Sequence, residues 1–507
     1  MSFPNDFIWG AASASYQIEG GAFEDGKGPS IWDQFSHIPG KTAGGHTGDV
    51  AADAYHRFEE DLDLMKQLGI RHYRFSISWP RVFPDGTADF SAGVHGLNPA
   101  GIDYYDRLVD GCLARGITPW VTLYHWDLPQ ALQEKGGWLN RETAYFFAGY
   151  AAFIAAHFRG RVRHYITINE PQCAIGLGLG TGVHAPGLSL NNEDLFRAWH
   201  HMLLAHGLAV REIRKAAPEA VIGAASTGAL SYLTKESCAK LAANEDGPAA
   251  GDGPAAGCLA DSGYLADTPA ALSDATFLSL PTEQNPGYYF NHQWFLDPVF
   301  LGHYPDDPQN PWSSFVSSVM PGDLEIISSP IDFAGLNIYN GHELVPDLPV
   351  SGAPSSGPAV SGASGSDCRL AAAEKYPGYP RTALKWPVTP EVLYWGPRLI
   401  WERYGKPVCI TENGQSCNDR IFLDGKVHDP DRIDFLHRYL RELKKAVEDG
   451  VPVQAYFHWA FTDNFEWNSG YDERFGLIYI DYRDQRRIPK DSAAWYAGVI
   501  KENGGML

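Results

Sequence analysis

The segment at residues 52–78, ADAYHRFEEDLDLMKQLGIRHYRFSIS, contains a helix pattern followed directly by a strand pattern. Apolar residues recur at intervals of three and four along Ala52–Leu68, which is typical of an amphipathic helix, and Gly69 is suited to end it. The run at Tyr73–Ser78 has an apolar or aromatic residue at every second position, Tyr73, Phe75 and Ile77, and indicates a strand. A helix that leads into a strand predicts one unit of a parallel α/β fold.

Eight strand-like runs of this kind occur along the chain, with helical segments between them. We place them at Phe7–Ser13, Tyr73–Ser78, Thr118–Tyr124, His164–Ile168, Ala220–Ala225, Asp332–Ile338, Pro407–Thr411 and Val453–His458. Alternating strands and helices form right-handed βαβ units. Eight such units predict an α/β fold with one closed (β/α)8 TIM barrel, in a single domain that covers residues 1–507.

Two long stretches interrupt the alternation, at residues 228–330 and 340–385. They include two tracts of small residues, Gly247–Gly257 and Ser351–Ser366. Tracts of Ser, Gly, Ala and Pro cannot bury a core. We therefore interpret both stretches as extended βα loops of the barrel and expect Ser351–Ser366 to be mobile.

The composition excludes several classes of protein. With 44% apolar residues in a chain of 507, a large core is expected and a disordered or fibrous chain is not. The formal net charge of −21 repels nucleic acids and anionic membranes, so neither is predicted as a partner. Neither a signal-peptide pattern nor a run of about 18 apolar residues occurs. Seven cysteines without a CxxC pair fit free thiols in a reducing cytoplasm.

Polar and aromatic residues cluster where the predicted strands end, which is where barrel enzymes carry their active sites. Two of them, Glu170 and Glu412, follow strands four and seven, and glycoside hydrolysis requires such a pair of carboxylates. A metal site would need further Asp, Glu or His residues nearby, whereas Asn169 and Asn413 are the neighbours here. The full set is Gln17, Glu19, Arg74, Trp79, His125, Trp126, Asp127, Asn169, Glu170, Asn337, Tyr339, Glu412, Asn413, Trp459, Glu466 and Trp467.

The chain resembles the glycoside hydrolase family 1 β-glucosidases almost from end to end. Six motifs carry the resemblance, in the order expected for the barrel. They are FIWGAASASYQIEG (7–20), YRFSISW (73–79), TLYHWDLPQAL (122–132), TINEP (167–171), ITENG (410–414) and DNFEW (463–467).

The resemblance implies a retaining β-glucosidase that releases terminal β-linked glucose from oligosaccharides such as cellobiose or from aryl and alkyl glucosides. Glu170 would be the general acid/base and Glu412 the nucleophile, with the two carboxyl groups about 5–5.5 Å apart. Arg74 and Tyr339 would hydrogen-bond Glu412, and the Arg74 cation would pull its pKa down. No metal or other cofactor is implied, and the substrate is a small molecule.

The resemblance also implies the residues that bind the sugar. Asn169 would hold the 2-hydroxyl, Trp459 would stack under the ring, and Trp386 would support the aglycone. The outer hydroxyls and the remaining walls of the pocket would involve Gln17, His125, Trp126, Asn337, Tyr339, Cys173, Glu466 and Trp467.

One position departs from the family pattern. Many relatives carry Trp after Asn-Glu-Pro, where this chain has Gln172 followed by Cys173. We expect the aglycone wall to be smaller and more polar as a result.

Two other functions stay open on the sequence alone: a 6-phospho-β-glycosidase and a non-catalytic sugar-binding protein. The Glu466 anion would repel a phosphate, and the presence of both candidate carboxylates disfavours the non-catalytic alternative. The sequence also leaves formation of a homo-oligomer open.

Overall fold

The fold was analysed in a computed structural model that describes residues 2–88, 96–228, 230–232, 288–308, 310–346, 359–361 and 367–507. Eight parallel strands close into a barrel in the order β1-β2-β3-β4-β5-β7-β11-β12. These strands are β1 (Ile8–Ala12), β2 (His72–Ser76), β3 (Thr118–Tyr124), β4 (His164–Asn169), β5 (Val221–Thr227), β7 (Phe333–Asn337), β11 (Val408–Asn413) and β12 (Val453–Trp459). The predicted (β/α)8 barrel is confirmed.

Four strands continue further than their apolar runs suggested, and one of them, β5, reaches Thr227 where we had predicted Ala225. β4 includes Asn169, β11 includes Glu412 and Asn413, and β12 includes Trp459. Strand pairing resumes at these positions after a shift of register, with Asn169 opposite Ala225 and Glu412 opposite Asn337. Backbone pairing does not depend on side-chain polarity, so the strands extend into the residues that we had placed after them.

Helices occupy the segments between the barrel strands. The predicted helix Ala52–Leu68 is observed as α3 (Ala54–Gln67), and it begins after Asp53, whose backbone is left-handed with φ 52°. The helices are α1 (Ser15–Ile18), α2 (Ile31–Ser36), α3, α4 (Trp79–Val82), α5 (Pro99–Ala114), α6 (Gln130–Gln133), α7 (Glu142–His157), α8 (Asn192–Ala216), α9 (His292–Leu301), α10 (Asp323–Ile327), α11 (Val392–Tyr404), α12 (Pro430–Glu448) and α13 (Asp491–Lys501). Single turns of 3₁₀-helix lie at Ala43–Gly45, Gly137–Leu139, Tyr288–Phe290 and Trp467–Ser469, with a longer one at Ser313–Ser318, and Gln172–Thr181 is π-helical.

The barrel interior is filled by side chains from its own strands. Trp120, Ile166, Phe333, Cys409 and Phe457 form one buried cluster, and each comes from a different strand. A packed interior makes the barrel a core and not a pore. Polar chemistry is therefore confined to the end where the strands finish.

The two long stretches between strands are only partly described. β6 (Leu230–Tyr232), β8 (Gly341–Pro346), β9 (Ala359–Ser361) and β10 (Asp367–Ala372) form a second sheet in the order β6-β8-β10-β9. Gly247–Gly257 lies outside the described residues, as does Ser351–Ser366 apart from β9. β9, which lies within the tract that we expected to be mobile, pairs antiparallel with β10. β13 (Ile478–Asp481) and β14 (Arg486–Pro489) form a separate antiparallel pair.

In the described part of the chain, no helix combines the length and the apolar character needed to cross a lipid bilayer.

Candidate active site

Glu412 is buried at the carboxyl end of β11, and two different residues donate to its two oxygens. Arg74 Nη1 donates to Oε1 at 2.6 Å, and the Tyr339 hydroxyl donates to Oε2 at 2.7 Å. Both Arg74 and Glu412 are at least 97% buried. These contacts fix the plane and position of the carboxylate, because neither oxygen can rotate without losing a hydrogen bond.

Arg74 is itself held by three further groups. Its guanidinium donates to Asn169 Oδ1 at 2.6 Å, to the Thr411 carbonyl oxygen at 2.9 Å and to Thr122 Oγ1 at 3.1 Å. These partners lie on strands β4, β11 and β3, while Arg74 lies on β2. The cation therefore connects four strands at the level of Glu412.

Glu170 follows β4, and its side chain is oriented by Asn337. Asn337 Nδ2 donates to Glu170 Oε1 at 2.6 Å and to Asn169 Oδ1 at 3.0 Å. The Thr411 hydroxyl donates to Asn337 Oδ1 at 2.6 Å. The structure thus places Asn337, which we had assigned to the substrate, against the second carboxylate, and both carboxylates belong to one hydrogen-bonded network.

Three residues of the site have a left-handed backbone that side chains other than glycine rarely adopt. They are Trp126 (φ 75°), Glu170 (φ 48°) and Trp467 (φ 51°). Such conformations cost about 1–3 kcal/mol each and persist where surrounding contacts enforce them. One such contact is the bond from Trp126 Nε1 to the Asn169 carbonyl oxygen, at 2.9 Å.

Burial and mutual repulsion separate the pKa values of the two carboxyl groups. Burial, followed by the charge of Glu412, raises the pKa of Glu170 to about 8. Burial also raises the pKa of Glu412, while the Arg74 cation and the Tyr339 hydrogen bond oppose that rise. The Arg74 cation lowers the pKa of Glu412, as we had predicted, but burial outweighs the cation and the net pKa lies above its usual value. We assign the higher pKa of the pair to Glu170.

A third carboxyl group, Glu466, lies beside Gln17. Gln17 Nε2 donates to Glu466 Oε2 at 3.3 Å, to Asn464 Oδ1 at 3.2 Å and to the Phe465 carbonyl oxygen at 3.0 Å. Burial, then the charge of Glu412, raises the pKa of Glu466 to about 8. We had treated Glu466 as a simple anion, but its buried position favours a proton on this carboxyl near neutral pH.

His125 lies next to the catalytic network and is uncharged. Asn169 Nδ2 and His125 Nε2 are 3.1 Å apart. Burial, and then the nearby Arg74 cation, holds the pKa of His125 well below its usual value. Its Nδ1 atom, like Gln17 Oε1, is buried without a hydrogen-bond partner among the described residues. Both atoms are therefore available to a bound polar group.

Aromatic rings form the remaining walls. The Trp126 and Trp467 rings are 4.4 Å apart, and the Trp459 ring lies nearly parallel to His125 at 5.8 Å. Trp386 lies 5.3 Å from Tyr339, so it adjoins the side of the site that holds Glu412. The peptide bond between Trp459 and Ala460 is cis.

The residues after Pro171 differ from our expectation. Gln172 is fully buried, its Nε2 donates to Ser226 Oγ at 2.9 Å, and its Oε1 accepts from the Thr227 amide at 3.4 Å. It is therefore bound to β5, and the prediction that it lines an open wall was wrong. Cys173 is also buried, and its backbone amide donates to the Glu170 carbonyl oxygen at 3.0 Å.

Sequence reasoning missed Thr122, Thr411 and His184. Thr122 and Thr411 bond Arg74 and Asn337, and their inward position follows from strand alternation, since Thr122 is two residues beyond the interior Trp120. The His184 ring lies 5.6 Å from Trp126. No periodic pattern marked His184.

In the described ranges, no group of three or more His, Cys, Asp or Glu side chains is arranged to hold a metal ion.

Comparison with known proteins gives a consistent result. The model of glycosyl hydrolase family 1 matches residues 1–247 and 282–505. The chain is 39% identical to β-glucosidase A of Thermotoga maritima over 508 residues, which cover 99% of this chain and 98% of that one. It is 40% identical to a bifunctional β-D-glucosidase/β-D-fucosidase of Bifidobacterium breve, with 99% of both chains covered. The structure of a β-glucosidase from Thermotoga maritima in complex with noeuromycin superimposes with a TM-score of 0.78 at 38% identity and covers 99% of both chains.

Proposed function

The chain belongs to glycosyl hydrolase family 1, and from this membership we propose that it is a retaining β-glucosidase. It hydrolyses terminal, non-reducing β-D-glucosyl residues of short oligosaccharides or of aryl and alkyl glucosides. One observation carries the proposal: two buried carboxyl groups share a hydrogen-bond network, yet one is paired with a cation and the other is not. The carboxyl group beside the cation is suited to act as the ionised nucleophile, and the one without a cation is suited to act as the protonated acid.

In the first step, Glu412 attacks the anomeric carbon while Glu170 protonates the departing oxygen. Arg74 and Tyr339 hold the attacking carboxylate in place and favour its ionised form. A pKa of about 8 keeps Glu170 protonated in neutral solution, ready to act as an acid. The product is a glycosyl ester on Glu412, formed with inversion at the anomeric carbon.

In the second step, Glu170 acts as a base. The negative charge of Glu412 is one cause of the high pKa of Glu170. Esterification removes that charge. The pKa of Glu170 therefore falls, and the carboxylate can accept a proton from the water that attacks the ester. A second inversion gives overall retention. We expect the carboxyl groups to be about 5–5.5 Å apart, as this chemistry requires.

The glucose ring is recognised by groups that have free hydrogen-bonding capacity. Gln17 Oε1 and His125 Nδ1, which are without partners among the described residues, would face sugar hydroxyls together with Glu466. Asn169 would bind the 2-hydroxyl, where contacts strengthen in the transition state. Trp459 would lie under the ring, and Trp126 and Trp467 would enclose it. Trp386 and Cys173 would border the aglycone.

Side chains supply the acid, the base, the nucleophile and the charge stabilisation, so we propose that no metal or other cofactor takes part. Residues 1–507 would form one barrel domain whose partner is a small β-glucoside. The absence of a CxxC pair supports a reducing, cytoplasmic location.

The test is a comparison of kcat/KM for the para-nitrophenyl β-D-glucoside, β-D-galactoside, β-D-fucoside and β-D-glucoside 6-phosphate. The glucoside should be a good substrate, and the 6-phosphate should be a poor one, because the Glu412 anion repels a phosphate and residues 460–472, around Glu466, contain no lysine to bind one. Proton NMR of the first product should show β-glucose. Faster turnover of the 6-phosphate, or α-glucose as the first product, would overturn the proposal.

A further inference from the structure

Asn337 occupies a central position between the two candidate catalytic groups. Its Nδ2 atom donates to Glu170 and to Asn169, and its Oδ1 atom accepts from the Thr411 hydroxyl. All four residues are at least 95% buried. The three hydrogen bonds therefore form without competition from bulk water.

The orientation of the Asn337 amide follows from chemistry alone. Arg74 has only donors, so the Asn169 atom that it contacts must be the carbonyl oxygen Oδ1. Asn337 contacts the same oxygen and must therefore present its NH₂ group there. The Asn337 carbonyl oxygen then faces Thr411, whose hydroxyl is able to donate to it. Arg74, acting through Asn169, therefore excludes the flipped amide, and the Thr411 hydroxyl donates to the amide oxygen in the orientation that remains.

The fixed orientation of the Asn337 amide determines which oxygen of Glu170 can carry the proton. An amide NH₂ group cannot accept a hydrogen bond, so Glu170 Oε1 must act as the acceptor at this contact. When Glu170 is protonated, its proton consequently belongs on the other oxygen, Oε2. If the amide were flipped, its carbonyl oxygen would instead attract the proton to Oε1 and away from the substrate.

Building on the proposed roles of Glu170 and Glu412, we propose that Asn337 and Thr411 are positioning residues for the acid/base. Thr411 holds the Asn337 amide in the orientation that Asn169 sets, and the amide keeps Glu170 Oε1 as an acceptor and directs the transferable proton to Oε2. In the second step the same donor stabilises the carboxylate that accepts a proton from water. One pair of side chains thus serves both halves of the reaction without touching the substrate.

Other charged or titratable groups also act on Glu170, and their influence must stay constant in a test. The charge of Glu412 raises the pKa of Glu170, and the Arg74 cation and the Cys173 thiol lower it. The charge of Glu170 in turn raises the pKa values of Glu466 and Tyr339. The groups that face Glu170 are Glu412 on β11, Arg74 on β2, Tyr339 after β7, Cys173 in the π-helical segment and Glu466 in the loop after β12. A useful variant must leave all five unchanged.

The variant Thr411→Val meets this condition, because it removes one hydroxyl and keeps the shape of the side chain. Without this hydroxyl the Asn337 amide is held less firmly and donates less well to ionised Glu170, so the basic limb of the kcat/KM profile should move upward by about 0.5–1 pH unit. It should also lower kcat for dinitrophenyl β-glucoside, whose turnover is limited by the second step, about 3- to 10-fold. Thr411→Ser should restore both values, because it returns the hydroxyl.

Thr143→Val is the matched control. Thr143 is a buried threonine whose hydroxyl donates to a backbone carbonyl oxygen, that of Gly137, at 2.7 Å, in a contact that involves neither carboxylate. It should leave the basic limb in place even if it lowers the melting temperature. If Thr411→Val does not give folded protein, Thr411→Ala loses the same hydroxyl and carries the same prediction.

The outcomes separate this inference from the proposed function. If Glu170→Ala slows phenyl and dinitrophenyl glucosides equally, Glu170 is not the acid/base and the proposed function fails. If Glu170→Ala selectively slows the phenyl glucoside, but the profile of Thr411→Val superimposes on that of the wild type, the positioning inference alone is overturned. A shift of the same size in Thr143→Val would also overturn it.

Discussion

Replacing Arg74 by Met removes the only cation bonded to Glu412 among the described residues while keeping a side chain of similar length. Four hydrogen bonds are lost: those to Glu412 and Asn169 at 2.6 Å, to the Thr411 carbonyl oxygen at 2.9 Å and to Thr122 at 3.1 Å. Glu412 would then be a buried carboxylate without a cation, and the Tyr339 hydroxyl and the Asn337 amide would be left to donate to it. We expect it to take up a proton in preference to staying charged.

The expected loss of kcat/KM in Arg74→Met follows from the burial of the Arg74–Glu412 ion pair. Removing one partner of a buried ion pair costs about 3–5 kcal/mol. Each 1.36 kcal/mol of lost transition-state stabilisation is a tenfold change in rate, so kcat/KM should fall roughly 100- to 5,000-fold. The pKa of Glu412 must rise, since a cation that favours its charged form is gone. The nucleophile is then ionised only at higher pH, and the acidic limb of the profile should move upward.

The assay is kcat/KM for para-nitrophenyl β-D-glucoside from about pH 4 to about pH 9, with circular dichroism to verify folding. Arg81→Met is the matched control, because Arg81 is equally buried and pairs with Glu19 at 2.9 Å, away from Glu412. It should lower stability without moving the acidic limb. A folded Arg74→Met enzyme with less than about a tenfold loss and an unmoved acidic limb would refute the reasoning.

Three further predictions concern the pH profile, the packing and the cofactor requirement. The wild-type kcat/KM should decline above a pH of about 8, as Glu170 loses its proton, and a flat profile there would contradict the assignment. Gln172→Trp should lower the melting temperature, because overpacking a fully buried site costs about 1–3 kcal/mol, whereas unchanged stability would mean that the side chain is not packed against β5. Activity should survive exhaustive chelation with EDTA, and a loss that a divalent ion restores would contradict a mechanism based on side chains.

The sequence predicted the barrel because buried parallel strands carry a signal that extends over several residues. Apolar runs such as Thr118–Tyr124 coincide with the observed strand. The strand ends at Asn169 and Glu412 were predicted less well. Pairing there is set by the backbone of the neighbouring strand, and polar side chains at the same positions carry the opposite signal.

The candidate site was predicted as a set of residues but not as a network. Arg74 and Glu412 are 338 positions apart in sequence, and Thr411 and Asn337 are 74 apart. Its place at the end of the sixth predicted strand indicated that Asn337 belongs to the site, yet only its three-dimensional position shows that it contacts Glu170. The error at Gln172 has the same origin, because a polar residue type does not reveal whether its partner is solvent or another strand.

The electrostatic errors had a different cause. We had weighed the charge of Arg74 on Glu412 but not the burial of that carboxyl, and burial is the larger influence on its pKa. The same omission made Glu466 a simple anion, whereas burial raises its pKa to about 8. Sequence patterns identify the charges near a group, but the loss of contact with water is a property of the folded chain.

The central claim is that Glu412 attacks the sugar and Glu170 exchanges protons with the departing and arriving groups. Azide tests both roles through the stereochemistry of the product. In Glu412→Gly, the nucleophile is absent and azide can occupy its space, on the face opposite the leaving group. Azide should then convert an activated β-glucoside to the α-glycosyl azide.

In Glu170→Ala, Glu412 can still attack dinitrophenyl β-glucoside, whose leaving group needs no proton. The glycosyl ester then waits for a base, and azide should open it from the other face to give the β-glycosyl azide. The decisive measurement is therefore proton NMR of the azide products of both variants. The account predicts the α-anomer from Glu412→Gly and the β-anomer from Glu170→Ala. The same anomer from both variants, or the reverse pattern, would contradict it.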